Sequence, residues 1–261
     1  MSGMNKMKVA TWNVNSVRAR LPNILNWLDD NPVDILLLQE IKCIDQEFPK
    51  EDFNSLGYNI IVNGQKSYNG VAILSYSEPQ NVIYNLPGYD EDLQRRYLQA
   101  EINGVVFGNI YLPNGNPINT EKFTYKLEWM KKLNNHAKTL LKKEKAVVLA
   151  GDFNIIPADK DVHDPSPWID DALCQPESRR QFRELLNFGY TDALRTFHPE
   201  PNQFTFWDYQ GGAWQNDYGI RIDHFLLSPQ AADICVDCRI DPKPRGRPKA
   251  SDHTPILIEI N

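Results

Sequence analysis

Polar residues recur in this chain where extended, apolar stretches end: Asn13, Glu40, Tyr111, Asp152, Asn154, Asp223, Asp252 and His253. The clearest case is the run Ala146 to Ala150, which leads straight into Gly151-Asp152-Phe153-Asn154. It predicts a buried strand with ligands at its tip. Alternate residues of an extended chain share a face, so Asp152 and Asn154 project together while Phe153 points away. Two oxygen donors on one face suit a hard cation such as Mg2+. Taken alone, Gly, Asp and Asn after a strand are an ordinary turn. The repetition of the pattern argues for more. If these strands lie side by side, one edge gathers carboxylates, amides, a phenol and an imidazole. Phosphodiester hydrolysis needs those parts: a cation on a nonbridging oxygen, a base for water, and charge relief at the leaving oxygen. No Ser-His-Asp nucleophile motif, P-loop or Gly-rich dinucleotide signature competes with this reading.

The elements that must carry these residues follow from periodicity. Val9 to Asn15 alternates polar and apolar, placing Thr11, Asn13 and Asn15 on one side; Asn13 is expected to be a ligand or to orient one, and Asn15 fits a loop-capping role. Leu21, Ile24, Leu25 and Leu28 have helical spacing, and Val33 to Glu40 is a second strand ending in an acid. Strand, helix, strand predicts layered α/β or α+β packing. Tyr58–Asn63, Val71–Ser75, Asn81–Leu86, Tyr97–Ile102 and Val105–Leu112, with turns at Asn69-Gly70 and Asn103-Gly104, predict an antiparallel meander. A helix over 119–143 would bury Phe123, Leu127, Met130, Leu133, Ala137 and Leu140 or Leu141, with its lysines on the other side. Ser178 to Phe188 is a second amphipathic helix, Asp159 to Asp164 reads as a surface loop, and Arg221–Ser228, Asp233–Ile240 and Ile256–Ile260 are the closing strands. The basic stretch Asp241 to Lys249, held extended by prolines, is either disordered or a phosphate-contacting loop.

With 261 residues, 41% of them hydrophobic, the chain supports a substantial core. No linker divides it, so one domain over 1–261 is expected, with 1–6 as a flexible N-terminus. A net charge of -6 argues against nonspecific coating of nucleic acid. It leaves a nuclease open, because bound cations offset metal-binding carboxylates. No signal peptide or transmembrane run is present, so a soluble intracellular protein is expected, in the cytoplasm or at the nucleoid. Cys235 and Cys238 have metal-ligand spacing without a second pair, so neither structural zinc nor a disulfide is expected.

Taken in order, Trp12-Asn13-Val14-Asn15-Ser16-Val17-Arg18-Ala19, Leu38-Gln39-Glu40, Tyr111-Leu112-Pro113-Asn114-Gly115, Gly151-Asp152-Phe153-Asn154, Arg221-Ile222-Asp223 and Ser251-Asp252-His253 resemble the motifs of the exonuclease III family of apurinic/apyrimidinic endonucleases. The resemblance implies a four-layer α+β sandwich of two mainly antiparallel sheets flanked by helices. It also implies Mg2+-dependent incision on the 5' side of abasic sites, Mn2+ being the alternative ion, with 3'-to-5' exonuclease and 3'-end trimming as companions. Carried over by position, Glu40 would hold the metal with Asn13 and Asp252 near it, in a set that also takes in Asp152, Asn154 and His253. Asp152, helped by Asn154, would activate or align the water. His253, oriented by Asp223, would contact the scissile phosphate, and Tyr111 would do the same or assist the leaving oxygen. Duplex DNA with abasic sites or 3' ends would meet Arg95 or Arg96, Asn114, Lys122 and Arg221. Phe206, Trp207 and Ile220 would form an apolar pocket for a flipped sugar lacking its base, and Trp214 would be a further DNA-binding residue. Nothing requires more than a monomer. The rival readings are a relative acting on inositol phosphates or sphingomyelin, and a noncatalytic DNA-binding protein.

Overall fold

In the computed structural model, which describes residues 6–261, the chain makes two sheets from strands far apart in sequence. Its first half runs β1 (Met7–Asn13), α1 (Val17–Asp30), β2 (Ile35–Gln39), α2 (Lys50–Asn54), β3 (Asn59–Asn63), β4 (Val71–Ser75), β5 (Gln80–Ile83), β6 (Tyr97–Ile102) and β7 (Val105–Tyr111). There follow α3 (Glu121–Leu141), β8 (Val147–Asp152), α4 (Pro176–Phe188), β9 (Thr191–Asp192), α5 (Ala193–Phe197), β10 (Asp223–Leu227), α6 (Pro229–Ile234), β11 (Cys235–Ile240) and β12 (Ile256–Ile260). The flexible segment expected over 1–6 lies outside the described residues except for Lys6, which pairs with Glu259.

One sheet has the order β11-β12-β1-β2-β4-β3 and the other β5-β6-β7-β8-β10-β9. Each contains a single parallel pair, β1 with β2 and β7 with β8; every other pairing is antiparallel. The parallel pairs position the site. Parallel neighbours end on the same side, so Asn13 stands opposite Gln39, which precedes Glu40, and Tyr111 opposite Asp152. Antiparallel β10 then starts where β8 ends, setting Asp223 against Asp152.

Strand pleating divides the side chains between two faces. Val9, Ile35, Leu37, Ile73 and Ile258 of one sheet face Leu98, Ala100, Phe107, Val148 and Phe225 of the other, an apolar interior. Outside the first sheet, Ala10, Trp12, Leu36 and Leu38 pack on Ile24, Trp27 and Leu28 of α1. Outside the second, Val106, Ile110 and Leu149 pack on Trp129, Met130 and Leu133 of α3 and Phe182 of α4. Helix, sheet, sheet, helix are the four layers. Below the strand tips the interior turns polar: Gln39 Nε2 donates to Thr11 Oγ1 at 2.9 Å and, across the sheets, to Asn109 Oδ1 at 2.7 Å. Asn109 Nδ2 returns bonds to the carbonyls of Leu38 and Ala72 at 3.0 and 2.8 Å. Buried polar networks of this kind fix relative geometry; here one ties the two sheets together under the site, with Gln39 Oε1 alone left without a hydrogen-bond partner in it.

Four expectations change. The lysines of α3 do not all face solvent, because Lys126 is fully buried. Asp161 is no surface residue: it is buried and paired with Arg221 and Arg195. Asp233 closes α6 rather than opening a strand. The basic stretch is ordered: Arg245 is buried and donates to the carbonyls of Trp207 and Asp208, while Arg247 pairs with Asp30. All four cysteines are free, and burial pushes the thiols of Cys43, Cys174 and Cys235 up to about 11. No helix among the described residues is long and apolar enough to cross a membrane.

Candidate active site

The tips of β1, β2, β8 and β10 and the loop before β12 converge. Asn13 Nδ2 donates to Glu40 Oε1 and to Asp152 Oδ2, both at 2.9 Å, joining carboxylates from the two sheets. Its Oδ1 is occupied by the Asn15 N–H at 3.0 Å. Asn13 thereby positions the two carboxylates, and its oxygen retains a second lone pair. Glu40 sits in the left-handed region at φ 50, a conformation that costs free energy outside glycine. Lys42 Nζ holds it, reaching Glu40 Oε2 at 2.7 Å and Asn15 Oδ1 at 2.6 Å. Burial pushes the Glu40 carboxyl up, but Lys42 and Asn13 more than offset this and hold it below the usual range.

His253 Nδ1 lies 2.8 Å from Asp223 Oδ2, and His253 Nε2 lies 3.8 Å from Asp152 Oδ2. Burial alone would depress the imidazole; the Asp223 carboxylate, aided by Asp152 and Asp252, lifts it to about 10. As an imidazolium, His253 donates from both nitrogens. Glu40, Asp152 and His253 offer ligand atoms within 4.8 Å of one another, but an imidazolium has no lone pair for a cation, so the oxygens are the better donors. Asp152 is pushed up to about 7 by burial, with Asp223 and Glu40 adding to the push and His253 opposing it. One oxygen of Asp223 is buried with no hydrogen-bond partner. A carboxylate pushed this far above its ordinary range, with Glu40 beside it, suits a hard cation, whose charge would relieve it.

Asn154 folds back on the same carboxylate from a left-handed residue, φ 47. Its N–H donates to Asp152 Oδ1 at 2.8 Å, and its Nδ2 to Leu112 O at 2.9 Å and Asp152 Oδ2 at 3.2 Å. Its Oδ1 accepts from Asn114 Nδ2 at 3.2 Å. Beneath this turn, Lys126 Nζ donates to the carbonyls of Asn114 and Asn154 at 2.9 and 2.6 Å. Asp252 is outside the close triad; it accepts from Asn15 Nδ2 at 3.1 Å and Ser251 Oγ at 3.3 Å. Burial and the neighbouring Glu40 raise the Tyr111 hydroxyl well above its ordinary value, so it stays a phenol. The Arg96 guanidinium covers the Tyr111 ring at 4.7 Å.

These groups open into a cavity of about 310 Å3. Its lining joins polar groups, Glu40, Tyr111, Asn114, Asp152, Asn154, Asp171, Asp208, Asp252 and His253, to apolar ones, Trp168, Leu173, Phe206, Ile220 and Ile222. Phe206 touches His253 edge-on, ring centres 5.0 Å apart. A larger groove of about 740 Å3, beside Pro87 and Leu127, contains none of these residues.

Several expected DNA contacts lie elsewhere. Arg221 is 1% exposed: its Nε meets Asp161 at 2.7 Å and its Nη1 meets Asp192 at 2.9 Å, so it is a buried structural ion and no phosphate contact. Trp207 is buried against Phe204 and Ala213, its Nε1 donating to Asp217 at 3.0 Å, and Trp214 packs on it under Arg245; neither lines the cavity. Lys122 is exposed on the first turn of α3. Conversely, Trp168, Asp171 and Leu173 line the cavity and Lys126 lies beneath it, none of them marked by the strand-tip pattern. Only Lys126 carried a signal, a lysine spaced three residues after Phe123 and four before Met130 on the apolar face of α3.

A four-layer sandwich with crowded carboxylates, amides and an Asp-His pair at one edge defines a hydrolase of phosphate esters. The chain belongs to the Endonuclease/Exonuclease/phosphatase family, whose profile matches residues 10–253. It is 33% identical to exodeoxyribonuclease III of Haemophilus influenzae over 97% of this chain and 100% of that protein. The structure of the 3' phosphatase NExo from Neisseria, bound to a product DNA hairpin, superposes with a TM-score of 0.95 at 42% identity, covering 98% of this chain and 99% of that one. An AP endonuclease from Archaeoglobus fulgidus superposes with a TM-score of 0.94 at 38% identity, again over 98% and 99%.

Proposed function

We propose that this chain is a DNA-repair phosphodiesterase that incises on the 5' side of abasic sites and trims 3' ends at the same centre. The observation that carries this is one cavity lined by the hydrolytic groups and by an apolar set together. Glu40 and Asp152, with Asp252 and Asn154 beside them, would hold Mg2+, or Mn2+ in its place, which when bound supplies charge neutralisation at a phosphate oxygen and at the leaving oxygen. Asp152 takes a proton from, or aligns, the attacking water, held on target by Asn13 and Asn154. The His253 imidazolium, fixed by Asp223, donates to a nonbridging phosphate oxygen, and the Tyr111 phenol donates to the phosphate or the leaving oxygen. Phe206 and Ile220, with Trp168 and Leu173, form the wall against a base-free sugar. Extruding such a sugar costs least because nothing is stacked or paired. Arg96, over the Tyr111 ring, and Asn114, in the cavity lining, would meet the phosphate backbone, with the exposed Lys122 adding positive charge. All these residues come from one chain, so a monomer acting as one domain over 1–261 suffices, placed where DNA is, in the cytoplasm or at the nucleoid.

The test is a gel assay on abasic, nicked and 3'-blocked duplexes with and without EDTA. Metal-dependent cleavage of the abasic strand is expected. Cleavage insensitive to EDTA, or turnover of an inositol phosphate with none of the DNAs, would contradict the reading. A second expectation concerns the apolar wall: Phe206→Ala should lower abasic incision about tenfold or more, the scale of losing packing in a specificity pocket, and exonuclease action less. Equal losses in both reactions would count against a sugar pocket.

A further inference from the structure

Lys126 is the one residue of α3 that bonds to the strand-tip turns of the site, and it does so from behind. Its side chain is fully buried, and its Nζ binds the carbonyls of Asn114 and Asn154 at 2.9 and 2.6 Å. Those two residues line the cavity and bond to each other through their side chains. Gly115 shows how close the lysine lies: a Cβ there would stand 2.5 Å from Lys126 Cδ. A buried amine is costly and needs partners. Leucine or methionine would avoid burying an amine but would leave the Asn114 and Asn154 carbonyls without this donor, so the lysine is kept for what it anchors.

We propose that Lys126 is a positioning residue for hydrolysis, acting through Asn154 and Asn114. Asn154 must hold its left-handed turn so that its N–H and Nδ2 both meet Asp152. Its carbonyl and that of Asn114, on separate loops, are anchored to one nitrogen. Either protonation state of the amine has the two N–H bonds this requires, so the role does not depend on titration. Without the anchor both turns relax: the Asp152 carboxylate loses its aim, and of the proposed DNA contacts only Asn114 is disturbed. The inference rests on the proposed function for its chemistry, though not for its geometry.

The test is a double-mutant cycle of Lys126→Met and Asn154→Ala, with kcat, KM and melting temperature measured on an abasic duplex. Lys126→Met keeps the stem and removes the donors; kcat should fall about 10- to 100-fold, as small misplacements do, with KM within about threefold. If Lys126 acts through Asn154, the double variant should lie within about threefold of Asn154→Ala alone. Unchanged kcat with a lowered melting temperature, or losses that multiply, would overturn the proposal. Should Lys126→Met fail to fold, the same cycle with Lys126→Arg, which keeps but displaces the donors, carries the same expectations. Side-chain amide NMR signals of Asn114 and Asn154 should both shift in the Lys126 variant, whatever the substrate proves to be. If those signals stay in place, the positioning role falls even if abasic cleavage stands; if wild-type chain leaves abasic DNA intact while the signals shift, the proposed function falls instead.

Discussion

Asp152→Asn is expected to lower turnover of an abasic duplex about a thousandfold or more, the scale of losing a general base, while the fold stays intact. Asn13, the Asn154 N–H and Asn154 Nδ2 all donate to the Asp152 oxygens, and His253 Nε2 stands 3.8 Å away. An amide nitrogen in place of one oxygen would face donors with a donor, removing at once the charge, the proton acceptor and the alignment. Stability should change little, because burial, with Asp223 and Glu40, already pushes this carboxyl up and the substitution relieves that while setting donor against donor; active sites commonly trade stability for activity. Single-turnover rates with thermal melts would check it, and turnover within tenfold of wild type would remove Asp152 from the mechanism.

His253→Ala should cost both activity and stability. The imidazolium is the cation 3.8 Å from Asp152, and among the described residues the wholly buried carboxylate of Asp223 has no hydrogen-bond partner other than His253. Removing the ring strands that charge, and breaking a buried pair by deleting one member costs about 3–5 kcal/mol. Turnover should fall about a hundredfold or more. The double variant His253→Ala, Asp223→Ala should recover much of the lost stability and none of the lost activity. Recovery of neither would mean that Asp223 is not the residue left stranded, and a near-normal rate in the single variant would separate His253 from the chemistry.

The hydrolytic wall was legible in the sequence because it sits on strand tips, where an apolar run stops and alternation fixes which residues share a face. Val71–Ser75, Tyr97–Ile102 and Ile256–Ile260 have the bounds their patterns predict. That β1 and β2, and β7 and β8, run parallel while their neighbours do not is a matter of long-range pairing; the facing of the two sheets came from the resemblance to a family. The apolar wall was half legible. Phe206 and Ile220 flank an aromatic, Gly-rich segment, but Trp168 and Leu173 lie in the irregular chain between Asp152 and α4, where no periodicity reports direction. Arg221 was misread because a basic residue beside Asp223 resembles a phosphate contact, whereas its partner Asp161 is 60 residues away in sequence. Trp207 was misread likewise: the sequence shows a tryptophan beside Phe206, and the pleat turns it to the opposite side, onto Phe204 and Trp214.

Anomalous scattering from a crystal of the chain with an abasic duplex and Mn2+ tests the central claim most directly. The account predicts a peak at coordination distance from the Glu40 and Asp152 carboxylates, with the phosphate 5' to the abasic sugar beside His253 and that sugar against Phe206. A peak bound elsewhere, or DNA lying across another face with this cavity empty, would contradict it.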